Sequence, residues 1–185
     1  MSGKTTTKNK RQKTMKPGEP RLLKRPPQRM AVVVTCGDPN EVGEQALSAL
    51  YGAAYKHKFA LKKAGKPDFK VTGLAARWPD AHLKPKGEWT GVWALPVPAG
   101  TRKLLDEPEH PGVEIRLETW DYGPMAAEIL HVGSYAEEGP NIERLHAFIQ
   151  EQGYQITGPH EEEYLSRPGA KVQKTIIRYP VKRRN

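Results

Sequence analysis

The sequence predicts an α+β domain of two strand–helix–strand–strand units, related by a pseudo-two-fold axis, with antiparallel sheets and a central ligand cleft. Two observations support this fold class. Apolar segments at 30–36 and 125–132 each end at a glycine, and an acid-rich helix start follows each of them. Two further strand-like segments follow each predicted helix, so the halves repeat an architecture without repeating a sequence. A cleft between two such units is a common place for a ligand.

The first unit begins with the β-branched segment MAVVVTC at 30–36, which is typical of a buried strand. A helix should start next, because Asp38 suits the N-cap, Pro39 the first helical position and Glu41 the third. Gly65 ends the helical pattern. The elements predicted after it are strands at 69–78 and 89–97 and a short helix around 102–105.

The second unit opens with a predicted hairpin of strands 113–121 and 125–132. The segment 137–152 is predicted to be a helix that ends at Gly153. Its apolar residues recur on one face: Ile142, Leu145, Phe148 and Ile149. Strands at 154–157, 160–165 and 174–181 close the domain.

The net charge of +9 belongs entirely to the first 30 residues. They hold ten Lys and Arg and one acid, Glu19, whereas the rest of the chain holds 20 residues of each sign. Low hydrophobicity and excess charge predict a disordered basic tail over residues 1–29 and a folded domain over 30–185. We expect residues 1–28 to be dispensable for the fold. Any nucleic-acid contact should be weak, non-specific and confined to the tail.

No segment approaches the roughly 18 apolar residues of a membrane span, so no membrane contact is predicted. The single cysteine, Cys36, excludes an internal disulfide and fits a reducing compartment. Because it follows an apolar segment, we expect it to be buried. These features predict a soluble, cytoplasmic protein and leave its oligomeric state open.

Familiar cofactor and metal motifs are missing. The sequence has no Gly-rich phosphate loop, no Cys-x-x-Cys and no His-x-x-x-His pair, so no cofactor and no metal site are predicted. The six histidines form no recognisable catalytic triad. His131 lies in an apolar strand, and we interpret it as a core or turn histidine.

The informative polar segment is GPHEEEYLSRP at 158–168. On a strand, the period of two places Glu162 and Tyr164 on one face and Glu161, Glu163 and Leu165 on the other. Either face could be buried. A solvated acidic edge strand is the alternative interpretation.

Four tryptophans and seven tyrosines exceed the needs of a core of this size. Trp89 and Trp93 share a strand face, and Tyr51 and Tyr55 share a helix face. Tryptophan and tyrosine combine an apolar body with one polar group, which suits a pocket wall. Three other aromatic residues are assigned to the core: Phe59, Phe148 and Trp120.

Four stretches make the interpretation more specific: LYGAAYKHKF at 50–59, HVGSY at 131–135 with the acids after it, the 158–168 segment, and KTIIRYPV at 174–181. In this order and spacing the chain resembles the GyrI-like small-molecule-binding domains, which also occur in multidrug-sensing transcription regulators. The resemblance covers about residues 30–185. It implies the same fold of two strand–helix–strand–strand units.

The tyrosine-rich helix and the Glu-x-Tyr-Leu-Ser strand are similar to the cyclopropanoid cyclopropyl hydrolases of this family. Those enzymes detoxify DNA-alkylating natural products by adding water to a strained cyclopropane. The resemblance implies a catalytic pair in which Glu162 deprotonates the water and Tyr164 donates to the substrate carbonyl. It also implies five pocket walls: Tyr51, Tyr55, Trp78, Trp89 and Trp93.

Two departures leave the substrate open. Relatives tend to have paired tryptophans where this chain has Ala76-Arg77-Trp78, and both neighbours of Glu162 are acids. Because Glu161 and Glu163 lie on the opposite strand face, we expect their replacement by glutamine to be nearly silent. The alternative function is a non-catalytic multidrug or effector-binding module, in which the carboxylate neutralises a cationic aromatic ligand.

Overall fold

The computed structural model describes residues 15–104, 113–167 and 169–185. These residues form two long helices, α1 (Pro39–Lys63) and α2 (Gly139–Glu151). The strands are β1 (Arg21–Leu23), β2 (Gln28–Cys36), β3 (Ala75–Trp78), β4 (Thr90–Pro96), β5 (Arg116–Trp120), β6 (Met125–Val132), β7 (Tyr154–Ile156), β8 (His160–Tyr164) and β9 (Lys174–Arg183). Neither helix of the described ranges is long and apolar enough to cross a membrane.

All the strands belong to one antiparallel sheet, which confirms the predicted fold class. The strand order is β1-β6-β9-β8-β3-β4-β2-β5, and β7 pairs with the end of β9. The order is symmetric about the β3–β8 pair. Moving away from this pair, the strands are β3, β4 and β2 on one side and β8, β9 and β6 on the other. Each of these strands of the first unit therefore has a counterpart at the same position in the second unit. The two predicted units therefore meet where β3 pairs with β8.

The two helices pack on the same face of this sheet, here called the outer face. The predicted start of α1 is confirmed, since the Asp38 side chain accepts a hydrogen bond from the Asn40 N–H at 2.9 Å. α1 buries an alanine- and leucine-rich stripe against β2 and β4, and α2 buries Leu145 and Ile149 against β6 and β9. The apolar area removed from water in these two clusters is the main stabilising contribution.

The sheet is strongly curled, because β5 and β6 are joined by only the four residues 121–124. In a flat sheet six strand spacings of about 4.8 Å, roughly 29 Å, would separate them. Five peptide units span at most about 18 Å. The curl brings Trp120 of β5 and Ala126 of β6 into one buried cluster with Met30 and Val32. The face inside the curl is called the inner face.

A row of alternating charges crosses the inner face. Its members are directly opposed on β3, β8, β9, β6 and β1: Arg77, Glu161, Arg178, Glu128 and Arg21. Glu128, Glu161 and Arg178 are at most 1% exposed. Glu161 accepts hydrogen bonds from Arg178 Nη1 at 2.6 Å, Arg77 Nε at 2.9 Å and Tyr122 Oη at 3.0 Å. The sequence predicts a nearly silent replacement of Glu161, but its burial inside the curl and its ion pairs make a loss of stability the expected result.

The N-terminal segment is corrected as well. Residues 15–29 are part of the fold: β1 pairs with β6, and Arg21 donates to Glu128 at 2.6 and 2.9 Å. The N–H of Gly18 donates to the Leu130 carbonyl at 2.9 Å. Arg21 and Arg25 of this segment pair with Glu128, which is distant in sequence. The local composition of the segment therefore does not predict that it is folded. The remainder of the predicted tail, residues 1–14, lies outside the described residues.

We expect a chain that starts at Gln28 to be less stable than one that starts at Met15. The shorter chain lacks β1 and leaves the buried Glu128 without the Arg21 guanidinium. A hydrogen bond to a charged group contributes about 1.5–3 kcal/mol, and for a domain of this size each kcal/mol shifts Tm by roughly 2–4 °C. The melting temperatures of the two chains should therefore differ by about 3–12 °C. Equal melting temperatures would instead support the boundary predicted from the sequence, in which the folded domain begins at residue 30.

Other local predictions need adjustment. The segment predicted as strand 69–78 forms a strand only at Ala75–Trp78, after Gly73, which has φ of +76°. The predicted hairpin is wrong, because β5 pairs with β2 while β6 pairs with β1 and β9. Residues 102–104 form no helix, and residue 105 lies outside the described residues. Cys36 is exposed, because β2 extends beyond the end of β5 on the inner face.

Candidate functional site

The candidate site lies on the outer face, where the two units meet. Residues directly opposed on neighbouring strands share a face, and one such row runs from β2 to β6: Val33, Trp93, Ala76, Glu162, Ile177 and Ile129. Its ends pack under α1 and α2. Glu162 is the charged member of this row and lies at its middle, on β8. A carboxylate is thus placed between two apolar clusters.

The structure brings Glu162 and Tyr164 together. Tyr164 Oη donates to Glu162 Oε2 at 2.7 Å, and His160 Nε2 lies 2.9 Å from Glu162 Oε1. His160 Nδ1 is 2.7 Å from the Tyr179 hydroxyl. The simplest proton arrangement has Tyr179 donating to Nδ1 and the Nε2–H donating to Glu162. Each oxygen of Glu162, whose side chain is 13% exposed, therefore accepts one hydrogen bond and is held in a fixed orientation.

A second carboxyl group, that of Glu138, lies beside Glu162. Glu138 follows a 3-10 turn (Tyr135–Glu137), which is held by a capping box between Ser134 and Glu137. Its side chain carries a buried oxygen, Oε1, that has no hydrogen-bond partner among the described residues. Burial, and then the charge of Glu162, raise the pKa of Glu138 to about 8. At neutral pH this carboxyl is protonated in the ligand-free chain.

The tyrosines of the site keep their protons at neutral pH. Burial, and then the neighbouring Glu162, raise the pKa of Tyr164 well above its ordinary value. The same two causes raise the pKa of Tyr179 and, to a smaller degree, that of Tyr135. Tyr135 covers the site, since its ring packs edge-on against Tyr164 with centroids 5.7 Å apart. Tyr164 therefore donates to Glu162, and Tyr179 can donate to His160.

Aromatic rings extend from Tyr164 across β4 and β3. Trp93 stacks on Tyr164 at 6.2 Å, Trp78 meets Trp93 edge-on at 5.1 Å, and Trp89 lies 5.8 Å from Trp78. Gly91 makes this packing possible, because a Cβ there would lie 2.7 Å from Trp93 Nε1 and 3.1 Å from the Trp78 ring. The indole nitrogen of Trp78 is buried and has no hydrogen-bond partner in the part of the chain that the structure describes. Three of the predicted pocket residues thus form one aromatic wall.

The two predicted residues of α1 are placed differently. Tyr51 is half-buried and packs at the margin of the core that contains Trp78 and Trp93. Tyr55 is 44% exposed and stacks on Phe59 at 6.2 Å. Phe59, which was assigned to the core, is 58% exposed, because it lies on the side of α1 that faces away from the sheet. The core assignments of Trp120 and, in part, Phe148 are confirmed.

Two cavities lie away from Glu162. One of about 330 Å³ lies between β2, the start of α1 and residues 113–116. The other, of about 70 Å³, is on the inner face and is lined by Tyr122, Glu161 and Arg178 among others. Neither is lined by Glu162 or Tyr164, so a ligand at these residues would lie over β3 and β8 rather than in either cavity.

Sequence reasoning missed His160, Tyr179 and Glu138 as members of the site. His160 could have been predicted, because the strand period of two that places Glu162 and Tyr164 on one face places His160 on the same face. Glu138 and Tyr179 carry no local signal, since their positions depend on how α2 and β9 pack against β8. His131 is 3% exposed and bonds Ser134 and Asn141, which confirms its structural role.

Comparisons with known proteins agree with this architecture. The family described as "GyrI-like small molecule binding domain" matches residues 18–181. The chain is similar in structure to an uncharacterised conserved protein (26% identity, TM-score 0.74) and a hydrolase (25%, TM-score 0.73), both from Listeria innocua. In both cases the match covers 90% of this chain and 93% of the other. It shares the fold of the EcmrR C-terminal domain (14% identity, TM-score 0.55, covering 90% and 98%). No curated protein sequence matches it significantly.

Proposed function

Since the chain belongs to the GyrI-like family of small-molecule-binding domains, we propose that it binds a largely apolar, aromatic molecule over β3 and β8 and hydrolyses a strained cyclopropane in it. The substrates would be DNA-alkylating natural products, and the activity would detoxify them. One observation carries the proposal: Glu162 is oriented by two donors beside the aromatic wall. A relative at 25% identity that is called a hydrolase supports it.

In the proposed reaction, water attacks the cyclopropyl carbon of a spiro-cyclopropyl dienone. Glu162 takes a proton from the water as the new C–O bond forms. The strained C–C bond breaks, and its electron pair moves into the ring, which becomes a phenolate. The phenolate takes a proton from solvent, and Glu162 releases its own. The net change is the addition of one water, so no cofactor is consumed.

The roles of the other residues differ from those that the resemblance implies. Tyr164 donates a hydrogen bond to Glu162, so we propose that its role is to orient this general base. The carbonyl oxygen lies at the opposite end of the substrate ring from the carbon under attack, so its donor must be distant from Glu162. The Trp78 indole N–H fits this requirement, because it is unpartnered and Trp78 pairs with His160, two residues from Glu162. A donor aimed at developing negative charge stabilises the transition state.

The test is incubation of the full chain with a spiro-cyclopropyl dienone alkylator in ¹⁸O-labelled water. We expect many equivalents of the ring-opened phenol carrying one ¹⁸O, detected by mass spectrometry. A single equivalent that stays attached to the protein would indicate alkylation of the chain instead. Unchanged dienone would exclude the hydrolase.

The second candidate function is non-catalytic binding of a cationic aromatic ligand. The specific observation in its favour is the pair of carboxyl groups, Glu138 and Glu162, next to the edge-on pair Trp78 and Trp93. Aromatic faces and carboxylates both stabilise a lipophilic cation. Saturable quenching of tryptophan fluorescence by tetraphenylphosphonium, without any turnover of the dienone, would support this function.

A further inference from the structure

We infer that Glu138, His160 and Glu162 form a binding site for one divalent metal ion of the Zn²⁺ type. Three donor atoms, one from each side chain, lie within 4.8 Å of one another. Carboxylate oxygen and imidazole nitrogen are both protein ligands of zinc, and a site with three protein ligands leaves a fourth position for water. The inference goes beyond the proposed function and does not depend on it, because metal binding can be measured without any substrate.

An unpartnered buried atom supports the site independently of the cluster. Glu138 is only 5% exposed, and its Oε1 has no hydrogen-bond donor in the described part of the chain. Leaving a buried acceptor without a hydrogen-bond partner destabilises the fold, and it does so more strongly if the group is charged. A cation between Glu138 and Glu162 would remove that destabilisation and balance two negative charges with one divalent ion.

The groups around the three ligands are those of a supported metal site. His160 uses its other nitrogen, Nδ1, to contact the Tyr179 hydroxyl at 2.7 Å, which fixes the plane of the imidazole ring. The second oxygen of Glu162 accepts a hydrogen bond from Tyr164 at 2.7 Å. His160 and Glu162 are thus each held by a further hydrogen bond, as metal ligands in proteins usually are.

Only a small rearrangement is needed to bind the ion. Donor atoms around a tetrahedral Zn²⁺ at about 2.1 Å lie roughly 3.4 Å from one another. No hydrogen bond among the described residues holds the Glu138 Oε1 atom in place, so this oxygen can move closer. The His160–Glu162 hydrogen bond would be replaced by two bonds to the metal. His160 would bind through Nε2 as the neutral tautomer whose Nδ1–H donates to Tyr179, and Glu138 would bind as the carboxylate after losing its proton.

The donor set also selects the metal. Imidazole nitrogen suits Zn²⁺ and other transition metals, whereas Mg²⁺ and Ca²⁺ require about six or more oxygen ligands. Three protein donors in a largely buried position cannot supply that number. The site should therefore bind Zn²⁺ strongly and Mg²⁺ or Ca²⁺ weakly.

The experiment is calorimetric titration of the chelator-treated full chain with ZnCl₂, MgCl₂ and CaCl₂. We expect one Zn²⁺ per chain and at least about 100-fold weaker binding of Mg²⁺ and Ca²⁺. Loss of a residue that only supports a ligand weakens binding by about 10–100-fold. Glu138→Gln and His160→Gln should therefore weaken Zn²⁺ binding by about 100-fold or more, and Tyr179→Phe by about tenfold. Matched controls are Glu143→Gln, an exposed glutamate of α2, and Cys36→Ser, which removes the exposed thiol.

Visible absorption of bound Co²⁺ in the unmutated chain provides a second readout that does not depend on how the variants fold. Tetrahedral coordination with nitrogen and oxygen donors is expected. Absence of a one-to-one Zn²⁺ complex, equal binding in the Glu138→Gln and His160→Gln variants, or equal affinity for Mg²⁺ would each overturn the inference.

Discussion

Glu161→Gln should lower the free energy of unfolding by about 3–5 kcal/mol, the usual cost of removing one partner from a buried ion pair. Both carboxylate oxygens of Glu161 accept hydrogen bonds from guanidinium groups. A carboxamide would direct an N–H donor at Arg178 or at Arg77 and leave a buried positive charge uncompensated. Urea unfolding at neutral pH measures the loss.

The matched control is Glu163→Gln, two residues along on the same strand face. Glu163 makes one ion pair with Arg178, at 2.9 Å, and its side chain is 23% exposed. Solvent screens such a pair, so the expected loss is at most about 1 kcal/mol. Similar losses of unfolding free energy in the two variants would mean that burial inside the curl does not determine how much Glu161 contributes to stability.

The same row of charges should make the fold acid-sensitive. Burial alone would raise the pKa of Glu128, but Arg178 and Arg21 outweigh it, so the pKa lies below the ordinary value of 4.5. A carboxylate with a lowered pKa in the folded state stabilises the fold above its unfolded pKa, and this contribution is lost as the pH falls. Stability should therefore decline below about pH 5. Glu128→Gln should be less stable at neutral pH and show a shallower decline.

Glu162→Gln is expected to reduce turnover by roughly 10²–10⁴-fold, the usual effect of a general base. Glutamine keeps the shape of the side chain, so binding of an uncharged dienone should be almost unchanged. Single-turnover kinetics and a binding titration with the same compound separate the two effects. Glu143→Gln serves as the control for the loss of a carboxylate elsewhere on the chain.

Tyr164→Phe should cause a smaller loss than Glu162→Gln, because His160 still holds the other oxygen of Glu162. If Glu162→Gln abolishes the binding of tetraphenylphosphonium while no ring opening occurs with the unmutated chain, the domain is a cation-binding module. If Glu162→Gln leaves both turnover and binding unchanged, the site is assigned to the wrong face of β8.

Short-range patterns predicted much of this fold. The apolar segments that became β2 and β6, the Asp38–Pro39 helix start and the glycine after each strand depend only on neighbours in sequence. The shared face of Glu162 and Tyr164 also follows from the strand period alone. These predictions succeeded because the local conformational preference and the tertiary structure agree.

Predictions that depend on distant partners failed. Arg21 belongs to a segment that looks disordered, yet its charge pairs with Glu128, more than a hundred residues away. Glu161 looked like part of a solvated acidic strand, because nothing nearby reveals that Arg77 and Arg178 flank it. Glu138 reaches Glu162 only through the placement of α2. The local charge composition predicts whether a segment is exposed to solvent only where its charged side chains have no partner that is distant in sequence.

The central position of β9 has a consequence for how the chain folds. This last strand lies between β6 and β8, and β8 in turn joins the two halves of the sheet. During synthesis, β2, β4 and β5 can pair early, but β6 and β8 lack their shared neighbour until residues 174–183 emerge. Non-local pairings of this kind slow folding. The nascent chain therefore exposes two unpaired strand edges until β9 has been synthesised, and chaperone engagement is expected before that point.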